Sequence, residues 1–93
     1  IIINIASGAG KSAHKTLSTY CATKFGVRGF TQTLALELPN GIRTYCVNPG
    51  ATATRMTKFE GAPISKVAEI IIKTSEEKLG KKSGDDVDVW EYV

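Results

Sequence analysis

Two apolar, β-branched runs, IIINIA at 1–6 and IRTYCV at 42–47, bracket about twenty residues of helical periodicity. A run that is apolar at nearly every position suits a strand covered on both faces, as in a parallel sheet. Antiparallel strands need only a tight turn between them, whereas parallel strands need a crossover of a dozen residues or more, usually a helix. A helix between two such runs therefore commits the chain to an α/β sheet.

The intervening segments fit that frame. Residues 7–17, SGAGKSAHKTL, read as a Gly/Ser/Lys loop. From 18 to 38, Val27, Phe30, Leu34 and Leu38 fall on one helical stripe, and Ala22, Gly26, Gly29 and Thr33 on a second stripe of small residues. Each interior glycine costs a helix about 1 kcal/mol relative to Ala, so close packing is expected along that second stripe. Pro39-Asn40-Gly41 ends the helix. A loop follows at 48–62, and Pro63 opens a second helix at a position where its missing N–H does no harm. Ile64, Val67, Ala68, Ile71 and Leu79 supply the apolar face of that helix. Glu69–Lys73 and Glu77–Lys81 are favourably ordered i,i+4 pairs, and Gly80 is the stop. KKSGDD turns the chain, and VDVWEYV at 87–93 alternates as a final strand.

The expected architecture is thus strand, helix, strand, helix, strand, a three-stranded parallel sheet with two helices. Right-handed crossovers stepping the same way put both helices on one face. The other face of IIINI would then lack cover, which points to a larger parent domain upstream of Ile1.

Composition works mainly by exclusion. The apolar runs fall far short of a membrane span, and the start, IIINIAS, shows no basic leader or cleavage site. Residues 1–60 carry seven Lys/Arg against two Asp/Glu, and residues 61–93 five against seven. The basic residues are scattered rather than gathered on one helix with aromatics between them, which argues against a nucleic-acid partner. Cys21 and Cys46 form no C-x-x-C and have no His pair nearby, so neither a metal site nor a disulfide framework is expected. Buried thiols in a reducing cytoplasm are the natural reading.

Chemistry concentrates in three places. Tyr20 and Lys24 lie four apart on the first helix, hence on one face with Cβ atoms about 5–6 Å apart. A cation about 5 Å from a phenol, at an effective dielectric near 20, favours the phenolate by roughly 3 kcal/mol. That moves the phenol toward the range of a general acid/base. Taken alone, the same spacing describes a solvated Tyr beside a surface Lys. Ser7 ends the first strand, thirteen residues before Tyr20, and NPGATAT follows the second. Ligands of parallel α/β sheets bind at the carboxyl ends of strands, and all three features converge there. His14 reads as a solvated loop residue. Trp90 and Tyr92 share a face of the final strand and read as packing. Leu17, Met56 and Phe59 are loop anchors or pocket lining.

NIAS at 4–7, YCATK at 20–24, FGVRGFTQTLALEL at 25–38 and VNPGATATRM at 47–56 resemble the second half of a short-chain dehydrogenase/reductase. The resemblance implies a partial Rossmann-like sheet lacking the N-terminal nucleotide-binding half, with 1–93 a single C-terminal portion. It implies that Ser7 hydrogen-bonds the substrate, Tyr20 passes the proton, and Lys24 tunes the phenol and holds the nicotinamide ribose. Pro49 and Gly50 would let the backbone pass close to the nicotinamide, with Thr54 and, secondarily, Thr52 contacting its carboxamide or phosphate. The implied cofactor is NAD or NADP, the substrate a small alcohol or carbonyl compound, and the assembly a homo-oligomer through helix 18–38. The pyrophosphate-binding glycine turn is absent: SGAG at 7–10 follows a strand but does not open a helix directly. Asn4 and Asn48 do not sit where the family's catalytic Asn would. A non-catalytic α/β fragment acting through helix 18–38 is the rival reading. An extended-branch sugar-nucleotide epimerase shares Tyr-x-x-x-Lys, but the NPGATAT loop counts against it.

Overall fold

The structure, a computed structural model, describes residues 1–50 and 61–93. Strand β1 (Ile2–Ile5) leads through a single 3-10 turn at Gly8–Gly10 into helix α1 (Ser18–Glu37). Strand β2 (Thr44–Asn48), helix α2 (Ile64–Ser75) and strand β3 (Asp86–Asp88) follow, and a 3-10 turn at Val89–Glu91 closes the chain. The three strands lie in the order β1-β2-β3, all parallel. Ile3 pairs with Tyr45 and Asn4 with Cys46, while Val47 pairs with Val87 and Asn48 with Asp88. The expected α/β sheet of three strands and two helices is present.

The helices, however, do not share a face. Successive strand residues point to opposite sides, so Tyr45 and Val47 face one way and Thr44, Cys46 and Asn48 the other. Val47 and Val87 form an apolar cluster with Val67 and Ile70 of α2, joined by Ile3, Ile71, Leu79 and Tyr92. On the opposite face, Asn4 Nδ2 donates to Thr31 Oγ1 of α1 (3.0 Å) and Arg28 of α1 engages Asp86. Each sheet face thus receives the helix whose inner stripe matches it, apolar on apolar and polar on polar. With the strands stepping one way and the helices on opposite faces, the two crossovers have opposite hands. The expectation of two right-handed crossovers fails for this reason, while the side of β1 away from α1 does lie open at Ile1 and Ile5, 54% and 42% exposed.

Other boundaries shift for local reasons. Helix α2 ends at Ser75, short of Gly80, and Glu77 takes a left-handed φ of 56°. Thr74 and Ser75 turn their hydroxyls back to the carbonyls of Ile70 and Ile72, a habit that weakens helix ends. Glu77 pairs with Arg43 and accepts from the Tyr45 hydroxyl (2.9 Å), in place of the expected Lys81. The Glu69–Lys73 pair does form, at 3.7 Å. Strand β3 is only three residues long because its partner ends at Asn48, just before Pro49. Trp90 and Tyr92 therefore leave the strand and diverge. Along α1, Phe30 is 62% exposed rather than inward. A Cβ added at Gly26 or Gly29 would meet nothing, so the small-residue stripe faces open space.

Candidate active site

The carboxyl ends of β1 and β2 are held level beyond the strands themselves. Ala6 N–H donates to the Val47 carbonyl (2.9 Å), and Gly8 N–H donates to the Pro49 carbonyl (2.8 Å). Ser7, between them, is extended and half-buried beside Pro49. Its Oγ accepts from Ala9 N–H (3.2 Å) and so caps the following 3-10 turn. Gly50 is exposed at the same rim.

That turn docks on α1. A Cβ on Gly10 would stand 2.8 Å from the Lys24 carbonyl oxygen, so only glycine allows this approach. The Ser7 turn is thereby seated against the helical turn that carries Tyr20 and Lys24. The Lys24 ammonium lies over the Tyr20 ring, 5.7 Å from its centroid, within reach of a cation–π attraction. Tyr20 is 41% exposed, so its phenol is open to a ligand. Among the described residues no hydrogen bond joins Ser7 to Tyr20, and no carboxylate pairs with Lys24.

Beneath the rim lies a polar network. Arg28 grips Asp86 through Nε (3.0 Å) and Nη2 (2.7 Å) and gives its third contact to the Gly10 carbonyl (2.8 Å). Fully buried Asn48 donates to both Asp86 and Asp88 (2.9 Å each). Lys11 pairs with Asp88 at 2.6 Å. Burial alone would raise the Asp86 carboxyl, but hydrogen bonds from Arg28 and Asn48 outweigh it and hold the group below its ordinary range. Burial, followed by the Asp86 charge, pushes the Cys46 thiol up, which leaves it an inert core residue. Cys21 is also buried.

Of the residues singled out from sequence, Ser7, Pro49 and Gly50 stand at this rim, and Tyr20 and Lys24 lie on the turn of α1 against which Gly10 docks. Thr52, Thr54, Met56 and Phe59 lie outside the described residues. His14 is exposed, with its Nε2 3.3 Å from Ser12 Oγ. Leu17 is half-exposed just ahead of α1. Trp90 proves to belong to the rim: its ring lies 3.5 Å from where a Cβ would stand on Gly8 and on Gly50, with the Lys11 ammonium 5.9 Å from its centroid. Arg28 and Asp86 go unmarked in the sequence, and Asn48 is considered there only as a catalytic Asn and set aside. The available signal was the Asp86/Asp88 alternation, which puts two carboxylates on one strand face, where a cation must answer them. Among the described residues no helix is long and apolar enough to cross a membrane.

Known proteins resemble this chain in both sequence and fold. A family model described as short chain dehydrogenase matches residues 1–64. A 3-alpha-(or 20-beta)-hydroxysteroid dehydrogenase of Mycobacterium bovis is 44% identical over 68 residues, covering 72% of this chain and 26% of its own. The chain thus spans about a quarter of the length of that curated relative. A short chain dehydrogenase from Salmonella enterica serovar Typhi superposes with a TM-score of 0.79 at 24% identity, over 94% of this chain and 40% of its own. A protein from Escherichia coli CFT073, described as a short chain dehydrogenase complexed with NADPH, superposes with a TM-score of 0.68 at 26% identity, again over 94% and 40%. Ser7, Tyr20, Lys24 and Pro49-Gly50 all fall within the matched stretch, and on that evidence this chain belongs to the short-chain dehydrogenase family.

Proposed function

We propose that this chain carries the proton-transfer half of an NAD(P)-dependent oxidoreductase that interconverts an alcohol and a carbonyl compound. The observation that supports this most directly is the exposed Tyr20 phenol under the Lys24 ammonium, on the helical turn where the Ser7 loop docks. The nicotinamide, when bound, supplies or accepts the hydride. The residues here fit that end of the cofactor: an ammonium with no carboxylate partner among the described residues suits ribose hydroxyls, and Gly50 brings no side chain to the rim where Pro49 follows β2. The relative complexed with NADPH supports a nicotinamide cofactor without choosing between NAD and NADP.

In this reading Ser7 rotates its Oγ from the Ala9 amide to the substrate oxygen and steadies the charge that develops there. Tyr20 donates the proton to that oxygen in reduction and receives it in oxidation. Lys24 stabilises the phenolate electrostatically and holds the ribose. Thr54, with Thr52, would contact the carboxamide or phosphate.

The test is Tyr20→Phe in the full-length gene product. Turnover with NADH or NADPH against a panel of cyclic and short acyclic ketones should fall at least a hundredfold, in keeping with loss of a general acid. Calorimetric affinity for the cofactor should change less than about threefold, since the phenyl ring and Lys24 remain. Wild-type turnover in this variant overturns the reading.

A second reading concerns assembly. Phe25, Phe30 and Leu36 are 44%, 62% and 88% exposed, on the helix whose Gly26 and Gly29 face open space. This supports a homo-oligomer paired through α1. Sedimentation of Phe30→Glu should show a smaller species than the wild type.

A further inference from the structure

We propose that Arg28, acting through Asp86, is the positioning residue that registers the three segments of the candidate site against one another; this rests on the catalytic reading above. Arg28 stands one helical turn after Lys24. Its guanidinium donates to the Gly10 carbonyl, which belongs to the Ser7 loop, and forks onto both oxygens of Asp86. Asp86 accepts from Asn48, the residue before Pro49. Asn48 also donates to Asp88, and Asp88 is gripped by Lys11, the neighbour of Gly10.

The contacts therefore close a ring: Gly10, Arg28, Asp86, Asn48, Asp88, Lys11 and back to Gly10. One arc holds the loop of Ser7, one the helix of Tyr20 and Lys24, and one the start of Pro49-Gly50. The ring sits below the rim, with Asn48 fully buried, Asp88 7% exposed and the Arg28 and Asp86 side chains 18% exposed. The planar fork of Arg28 makes three directed contacts at once, which a lysine cannot reproduce. Displacements near 1 Å at a reacting group are costly to rate, so the ring acts on turnover by fixing where the site segments stand.

The test compares Arg28→Lys with Arg43→Lys in the full-length gene product. The second variant breaks another two-pronged Arg–carboxylate contact, to Glu77, which is more exposed and lies at the opposite end of β2. Arg28→Lys should lower kcat per folded molecule at least tenfold, with NADPH and NADH affinity changed less than threefold. It should shift the backbone amide resonances of Gly8, Gly10 and Gly50 while leaving those of α2 in place. Arg43→Lys should do neither. If Arg28→Lys fails to fold, Lys11→Met opens the ring at its most exposed member and should shift the same amides. Equal behaviour of the Arg28 and Arg43 variants, or unmoved Gly8 and Gly50 amides, overturns the registration. Full turnover by Tyr20→Phe overturns the catalytic reading instead, and the amide shifts still decide the registration separately.

Discussion

Gly10 and Lys24 touch backbone to backbone: a methyl on the glycine would stand 2.8 Å from the lysine carbonyl oxygen. Gly10→Ala must therefore push the Ser7 turn away from α1, at a cost of about 1–3 kcal/mol for overpacking. Chemical denaturation checks the stability loss, and turnover should fall with it. Gly26→Ala and Gly29→Ala meet no atoms. Each should raise the stability of the isolated subunit by up to about 1 kcal/mol, the ordinary helix preference of Ala. If α1 pairs with a second copy, the same two substitutions should weaken the oligomer on sedimentation while strengthening the fold.

Asp86 gives the fold an acid-sensitive support. Its carboxyl is held below the ordinary 3.8 in the folded protein, so the unfolded chain binds the proton more readily. The stabilisation is complete above the unfolded value and fades as pH falls through the folded one. Asp86→Asn should cost about 3 kcal/mol near neutrality, as for a broken buried pair. Urea unfolding at pH 7 and pH 3 should show the gap to wild type narrowing on acidification. A gap independent of pH would contradict the assignment.

The two faces of α2 give a direct test of the layering. Ile70 is 2% exposed against β2 and β3, and Ile72 is 57% exposed. Ile70→Ala should cost about 2–5 kcal/mol, whereas Ile72→Ala should stay within about 0.5 kcal/mol. Thermal or denaturant unfolding of the pair distinguishes them.

Trp90 spans the ends of β1 and β2 by lying over Gly8 and Gly50. Trp90→Ala should change cofactor or substrate affinity by more than its stability loss explains. An effect confined to the melting midpoint would make it a packing residue only.

Legibility from sequence followed the range of each interaction. Helix α1 was readable to within a residue because its signals are local: twenty residues of period and a Pro-Asn-Gly stop. The parallel order of β1 and β2 followed from the helix between them. Tyr20 and Lys24 were readable as neighbours because i,i+4 geometry is fixed by the helix. The opposed placement of the helices was not, because it depends on which strand face each inner stripe matches, and the inward polar residues Arg28 and Thr31 are interleaved in sequence with the apolar Val27 and Phe30. Glu77 was assigned to Lys81 by spacing, yet Arg43, thirty-four residues earlier, captured it through the tertiary fold. Trp90 was placed on a strand that ends two residues before it.

The sheet has two chemically unlike sides, and they differ in how freely they can drift. On the α2 side the core contacts of Val47, Val67, Ile70 and Val87 are apolar and non-directional, so these residues can exchange among aliphatic residues while total volume is kept. On the α1 side Asn48, Asp86 and Arg28 are bound by direction as well as by charge, so a change at one leaves a buried partner unsatisfied. In descendants of this sequence, variation should accumulate on the α2 side of the sheet, and substitutions on the α1 side should arise in compensating pairs.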